Sequence, residues 1–136
     1  DALIDLDTVA RMSWTLEMGD ALRSWCLTGS EEQKDAHFDA TKFEAALMGY
    51  VSEGADFLTP EEIHGIVDGT VRITCELAVR FLADALAESY FGWDDKRYES
   101  RGAHNLVRAR SMSRLAASIV EQRTALEGIV KRAFSS

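Results

Sequence analysis

Two aspartates near the start of the chain have the type and spacing best suited to chemistry. Asp5 and Asp7 stand in "ALIDLD", where residues 2–6 are predicted to form a short strand. Successive side chains alternate along a strand, so these two acids share one face. Mg²⁺ prefers carboxylate oxygens and takes one or two of them, with water or phosphate completing its octahedron. The spacing leaves two interpretations open: a magnesium site, or two acids that cap a turn and the segment after it.

The segments that must position these acids are mostly helical. From about Ser13, apolar residues recur every three or four positions, as in Trp14, Met18 and Leu22. Residues 28–37 are polar and contain Gly and Ser, which predicts a loop. A second helix is expected from about residue 39 to 51.

The next helix start has the clearest local signal in the chain. "LTPEEI" places Thr59 at the N-cap, Pro60 at the first helical position and Glu62 three residues after the cap. This arrangement is a capping box with proline where its missing N–H costs nothing. The helix is expected to run to about Ser89, with a break near Gly65 or Gly69 left open.

The final third of the sequence predicts a loop and a long helix. Residues 90–105 are rich in aromatic and charged side chains, and an apolar stripe then runs from about 105 to 134. The fold class is therefore mainly α, as a single domain over residues 1–136 with one short N-terminal strand. That strand needs a backbone partner, either in a second copy of the chain or in a segment that precedes it.

Composition narrows the classes of partner. The net charge is −8, which argues against nonspecific binding to nucleic acid or to an anionic membrane. No apolar run approaches the roughly 20 residues of a membrane helix. Cys26 and Cys75 lack metal-ligand spacing and are expected to be buried free thiols in a reducing cytoplasm.

Several separated segments resemble one family of enzymes. "LIDLDTVARMSWTLEMGDALRS" is similar to the segment after the catalytic loop of aminoglycoside-phosphotransferase-type kinases. "FEAALMGYVSEGADFLTPEEI", "ITCELAVRFLADAL" and "YF…HNLVRARSM" resemble the C-terminal part of the N-acetylhexosamine 1-kinase branch. The resemblance implies a helical C-terminal subdomain of a protein-kinase-like fold.

The same resemblance implies roles for individual residues. Asp5 matches the metal-binding acid of such kinases and Asp7 the second acid beside it, while Asp20 matches a structural hydrogen-bond acceptor. No catalytic residue is assigned. The positions matching the sugar-pocket region are Arg80, Tyr90, His104, Asn105 and Arg108.

Each of these positions also has a simpler interpretation. Arg80 is spaced to pair with Glu76 or Asp84 along a helix. His104 and Asn105 are placed to cap the last helix, and Arg108 to lie on a solvated face. The loop aromatics Trp93 and Tyr98 either stack on a sugar or fold back onto the core.

Phosphoryl transfer also requires groups that this sequence does not contain. It has no glycine-rich loop after a strand, and His37 and Asp39 are followed at position 44 by Glu rather than the required Asn. The chain is therefore expected to be an inactive C-terminal fragment of a cytoplasmic kinase. The parent would use ATP and Mg²⁺ to phosphorylate a small-molecule hydroxyl, plausibly the anomeric hydroxyl of a hexosamine-type sugar.

Two further expectations concern association. The fragment should self-associate through apolar surface around Leu3, Ile4, Leu6 and Trp14. The rival hypothesis is a stand-alone helical interaction module that dimerises through its long last helix and has no catalytic role.

Overall fold

The computed structural model describes residues 10–135, and these form a mainly α fold as the sequence predicts. The predicted strand at residues 2–6, with Asp5 and Asp7, lies outside the described residues. The helices within them are α1 (Trp14–Cys26), α2 (Ala40–Ser52), α3 (Pro60–His64), α4 (Ile66–Ala87), α5 (Arg101–Glu121) and α6 (Arg123–Ala133).

The long helix α4 lies between α1 and α5 at the centre of the fold, while α6 packs on α2. The core is built from apolar stripes at helical spacing, such as Met18, Leu22 and Cys26 on α1, and Met112 and Ile119 on α5. No helix in the described part of the chain is both long enough and apolar enough to cross a bilayer.

Two glycines allow α1 and α4 to cross in close contact. A Cβ built on Gly19 would lie 2.7 Å from the carbonyl carbon of Gly69, and one on Gly69 would overlap the carbonyl oxygen of Thr15. Real side chains do not tolerate such separations. Gly69 therefore weakens α4 locally but permits the helix packing that holds the fold together.

The capping box at the start of α3 is confirmed. The Thr59 side chain accepts a hydrogen bond from the Glu62 N–H, and the Glu62 carboxylate accepts one from the Thr59 N–H at 2.8 Å. The break that the sequence left open lies at Gly65, between α3 and α4.

The sequence predicted a single last helix from about residue 105 to 134, and this prediction is wrong in both the start and the continuity of the helix. It begins at Arg101 because Ser100 is the N-cap, accepting a hydrogen bond from the Ala103 N–H at 3.0 Å. It also ends at Glu121, and α6 starts after Gln122. The Gln122 side chain donates to the carbonyl of Phe38 at 2.9 Å, so this break is tied to a segment 84 residues away.

The loop between α1 and α2 is closed at its base by an isolated antiparallel bridge between Leu27 and Phe38. Ser118 of α5 accepts a hydrogen bond from the Phe38 N–H and bonds to the His37 ring. This loop is therefore fixed against the junction of α5 and α6.

Candidate functional site

A buried carboxylate at the end of α4 organises the loop that follows the helix. Asp84 accepts hydrogen bonds from the backbone N–H groups of Ser89, Tyr90 and Phe91, with N···O distances of 2.8–2.9 Å. Glu88 ends the helix in the left-handed conformation, with φ of 49°. The turn therefore aims three consecutive N–H groups at one side chain.

This arrangement keeps Asp84 ionised. Burial alone would raise the pKa of the carboxyl group, but the three backbone donors, together with the positive charge of Arg101, hold that pKa at about 2. The charge is used internally to position the loop, so Asp84 is a poor candidate for a proton carrier near neutral pH.

Two predicted site residues extend this network. Asn105 is fully buried and donates from Nδ2 to the second oxygen of Asp84 at 2.8 Å. Arg108, one turn along α5, donates from one nitrogen to Asn105 Oδ1 at 3.3 Å and to the Gly92 carbonyl at 2.8 Å. The guanidinium of Arg108 is thus held between α5 and the loop after α4.

Arg80 and Tyr90 meet on the outer side of the same loop. The Arg80 guanidinium carbon lies 5.8 Å from the centre of the Tyr90 ring and 5.5 Å from that of Phe91, within cation–π range. Within the described residues Arg80 forms no ion pair with Glu76 or Asp84. The simple interpretation of Arg80 as a helix-surface ion-pair partner is therefore wrong, since Asp84 is occupied by backbone donors.

A second buried network surrounds His104. The Asp94 N–H donates to His104 Nδ1 at 3.1 Å, which assigns the ring proton to Nε2. That nitrogen lies 2.8 Å from a Glu32 oxygen and donates to it. Because both ring nitrogens are engaged and the side chain is buried, His104 fixes the loop and is not a free base. It also does not cap α5, as one interpretation of the sequence supposed.

The Glu32 carboxylate interacts with three donor side chains, all from residues 97–104. Besides His104, its carboxylate accepts from the Tyr98 hydroxyl at 3.2 Å and pairs with Arg97 at 2.7 Å. Desolvation raises its pKa, but the hydrogen bonds and the Arg97 charge outweigh that effect and leave the pKa below its usual value. Desolvation and the neighbouring Glu32 charge raise the pKa of Tyr98.

The Tyr98 ring is stacked on His104, with centroids 4.0 Å apart and the planes 8° from parallel. Of the two interpretations of this aromatic, the structure shows the one in which it folds back onto the protein.

An open cleft of about 650 Å³ lies between these two networks. Its apolar part is formed by Leu77, Phe81 and Phe91, and its polar part by cations and carboxylates from three segments. Arg23 is buried in this wall and pairs with Asp20 at 2.8 Å and with Glu31 at 3.3 Å. The other residues that line the cleft are Glu32, Gly92, Trp93, Asp94, His104 and Arg108.

The mixture of groups determines what the cleft can hold. Aromatic and aliphatic side chains offer a surface for the apolar face of a ring, while Arg23, Arg108 and the acids offer donors and acceptors for hydroxyl groups. A small polar molecule with one apolar face fits this chemistry.

The structure brings the predicted positions together in different ways. Asn105 and Arg108 belong to the Asp84 network, Arg80 and Tyr90 lie on its outer side, and His104 belongs to the Glu32 network. Asp20 accepts from Arg23 Nε at 2.9 Å. Asp5 and Asp7 lie outside the described residues. Within residues 10–135, no group of three or more His, Cys, Asp and Glu side chains is arranged to hold a metal ion.

Sequence reasoning missed the residues at the centre of both networks, Asp84 and Glu32, together with Arg23. A signal for Asp84 exists, because Thr70, Thr74, Phe81 and Asp84 share the buried face of α4. An acid on a buried stripe requires partners. Glu32 stands in a polar loop and has no such signal.

No model of a known protein family matches the chain.

Proposed function

We propose that this chain is the helical C-terminal part of an ATP- and Mg²⁺-dependent small-molecule kinase. The acceptor would be a hydroxyl group, the anomeric hydroxyl of a hexosamine-type sugar, and the enzyme would work in the cytoplasm. The proposal rests first on the resemblance of "RFLADAL…YF…HNLVRAR" to the N-acetylhexosamine 1-kinase branch.

One structural observation supports it. Phe81, Phe91, His104 and Arg108 belong to resembling segments that are separated along the chain, and all four line one cleft. The cleft combines apolar surface with paired cations and acids, a composition suited to a hydroxyl-rich ring.

The residues divide into two roles under this proposal. Arg108 is partly covered and lines the cleft, so it is placed to contact an acceptor there. Arg80 and Tyr90 are exposed on the outer side of the loop after α4 and would contact only an acceptor that extends beyond the cleft. His104 and Asn105 are buried and fully engaged, so they position the contacting groups. Asp5 and Asp7 would be the Mg²⁺ ligands, and the metal would neutralise phosphate charge.

Binding to the chain itself tests the acceptor half of this proposal. Saturation-transfer NMR with N-acetylglucosamine, N-acetylgalactosamine and glucose should show ring-proton contacts that weaken at least tenfold in Arg108→Ala. Arg72→Ala is the control, since Arg72 is exposed on α4 away from the cleft. Equal binding of all sugars by both variants, or no binding by the wild type, would remove the sugar assignment.

A further inference from the structure

A second groove, distinct from the cleft described above, runs between α4 and α5. It has a volume of about 710 Å³, and its apolar surface includes Val79, Leu82 and Leu106. Val79 and Leu82 are 63% and 50% exposed. Large apolar side chains that face solvent along one groove are typical of a surface that binds a partner.

The rim of this groove is positive in an otherwise acidic protein. Lys34, Arg110 and Arg114 line it together with small and apolar residues, and no acidic residue does. The chain as a whole carries 23 acids and 15 basic residues. All three cations are exposed, and none of the ion pairs found within residues 10–135 includes any of them.

A surface of the opposite character lies before α3. Phe57 is 68% exposed in the turn between α2 and α3. Glu53, Asp56 and Glu61 around it are exposed as well. This turn therefore presents an aromatic side chain with negative charge around it, which matches the apolar, positively rimmed groove in both respects.

The two surfaces do not meet within one molecule. The Phe57 turn leads into α3 and so into the first residues of α4, while the groove lies along Ala78–Leu82 in the second half of that helix. At 1.5 Å per residue the length of α4 between them is about 20 Å. A second copy of the chain is the occupant that carries the complementary surface.

We propose that the chain self-associates head to tail, with the Phe57 turn of one copy in the α4–α5 groove of the next. Such a contact uses two different surfaces, so each added copy leaves one groove and one turn free. The contact is small, which makes it weak and reversible. The groove includes residues of the predicted last helix, where the sequence suggested dimerisation, but its proposed occupant, the Phe57 turn, lies in neither that helix nor the N-terminal segment.

Sedimentation velocity and light scattering up to about 1 mM test this directly, since about 40% of the sites of a contact with a Kd of about 1 mM are occupied at that concentration. The average mass of the wild type should rise steadily with concentration and pass that of a dimer. Phe57→Ser lacks the aromatic side chain of the turn. The double variant Arg110→Glu/Arg114→Glu reverses two of the three positive charges on the rim of the groove. Each should remain a single chain. The controls Trp25→Ser and Arg72→Glu remove an exposed aromatic and an exposed cation elsewhere and should associate like the wild type.

Mixing the two defective variants provides the decisive measurement. The groove of Phe57→Ser remains intact, as does the turn of the charge-reversed variant, so an equimolar mixture should form a dimer and nothing larger. A mixture that stays monomeric overturns the proposal. So does a wild type that is monomeric at all concentrations, or association like that of the wild type by Phe57→Ser or by Arg110→Glu/Arg114→Glu alone.

Discussion

At the scale of single residues, Asp84 shows how a charge can serve structure rather than chemistry. Its carboxylate receives three backbone N–H groups and the Asn105 amide. Removing one partner from such a network leaves the others buried without a partner. The loop that carries Tyr90 and Phe91 therefore depends on a residue that is itself out of reach of a ligand.

The depressed pKa of Asp84 gives a pH dependence of known sign. The unfolded chain binds a proton at Asp84 near pH 3.8, the folded chain only near pH 2. The stabilisation is thus complete above about pH 4 and is lost as the pH falls towards 2. Thermal unfolding followed by circular dichroism between pH 6 and 2 should show this loss.

Asp84→Asn tests the assignment. The variant should unfold at a lower temperature than the wild type at pH 6, and the difference should shrink as the pH approaches 2. Asp56→Asn, at an exposed acid in the α2–α3 turn, is the control and should follow the wild type. A constant difference between Asp84→Asn and the wild type at every pH would contradict the assignment.

At the scale of helices, the sequence predicted a helix start correctly where neighbouring residues determine that start. The capping box of α3 could be predicted because Thr59, Pro60 and Glu62 are neighbours in sequence. The end of α5 could not be predicted, because the Gln122 side chain donates a hydrogen bond to Phe38, which lies 84 residues away in sequence. The burial pattern of α4 also departs from residue polarity: Leu86 is 87% exposed, while Thr70, Thr74 and Asp84 are buried.

The N-cap of α3 should be measurable. Thr59→Ala removes the side-chain acceptor for the Glu62 N–H and should lower the free energy of unfolding by about 1 kcal/mol. Thr124→Ala, at an exposed position inside α6, should change it by no more than about 0.5 kcal/mol. Urea denaturation of both variants checks the difference, and equal effects would refute the cap.

The crossing of α1 and α4 permits an opposite pair of glycine substitutions. Gly69→Ala gains helix propensity but forces a Cβ against the Thr15 carbonyl, and should destabilise the fold by about 1–3 kcal/mol. Gly49→Ala on α2 meets no atom within 4 Å and should stabilise it by up to about 1 kcal/mol. A denaturation midpoint of Gly69→Ala that rises together with that of Gly49→Ala would show that the crossing is not tight.

At the scale of the whole molecule, the mainly α class followed from hydrophobic periodicity, while the site did not. Periodicity shows which faces are buried, but the Glu32 and Asp84 networks join a loop, two helices and a turn that are distant in sequence. Resemblance selected Arg80, Tyr90, His104, Asn105 and Arg108. In the structure, Arg80, Tyr90 and Arg108 are exposed or partly covered, whereas His104 and Asn105 are buried.

The proposed kinase assignment makes a prediction for the chain alone. With ATP and Mg²⁺ it should release no ADP above the blank, because the sequence has no glycine-rich loop after a strand and no catalytic-loop pattern that ends in Asn. A coupled spectrophotometric assay measures this. Turnover that disappears in Asp5→Ala would show that the chain is catalytic by itself.

The metal assignment would be tested in the kinase that we propose as the parent of this chain. There Asp5→Asn should lower kcat by at least 100-fold, about 2.7 kcal/mol, and leave the sugar KM nearly unchanged. Arg108→Ala should mainly raise the sugar KM. A kcat like that of the wild type in Asp5→Asn would remove Asp5 from the metal site.

The two cysteines were expected to be alike, but the fold separates them. Cys75 is exposed on α4, while Cys26, the residue before the Leu27–Phe38 bridge, is buried, and burial raises the pKa of its thiol to about 12. A maleimide dye should therefore attach to the native chain at Cys75 alone. Once Cys75 is blocked, the slow labelling of Cys26 reports how often the end of α1 opens. The natural sequence thus contains its own probe of local unfolding, and no cysteine has to be introduced.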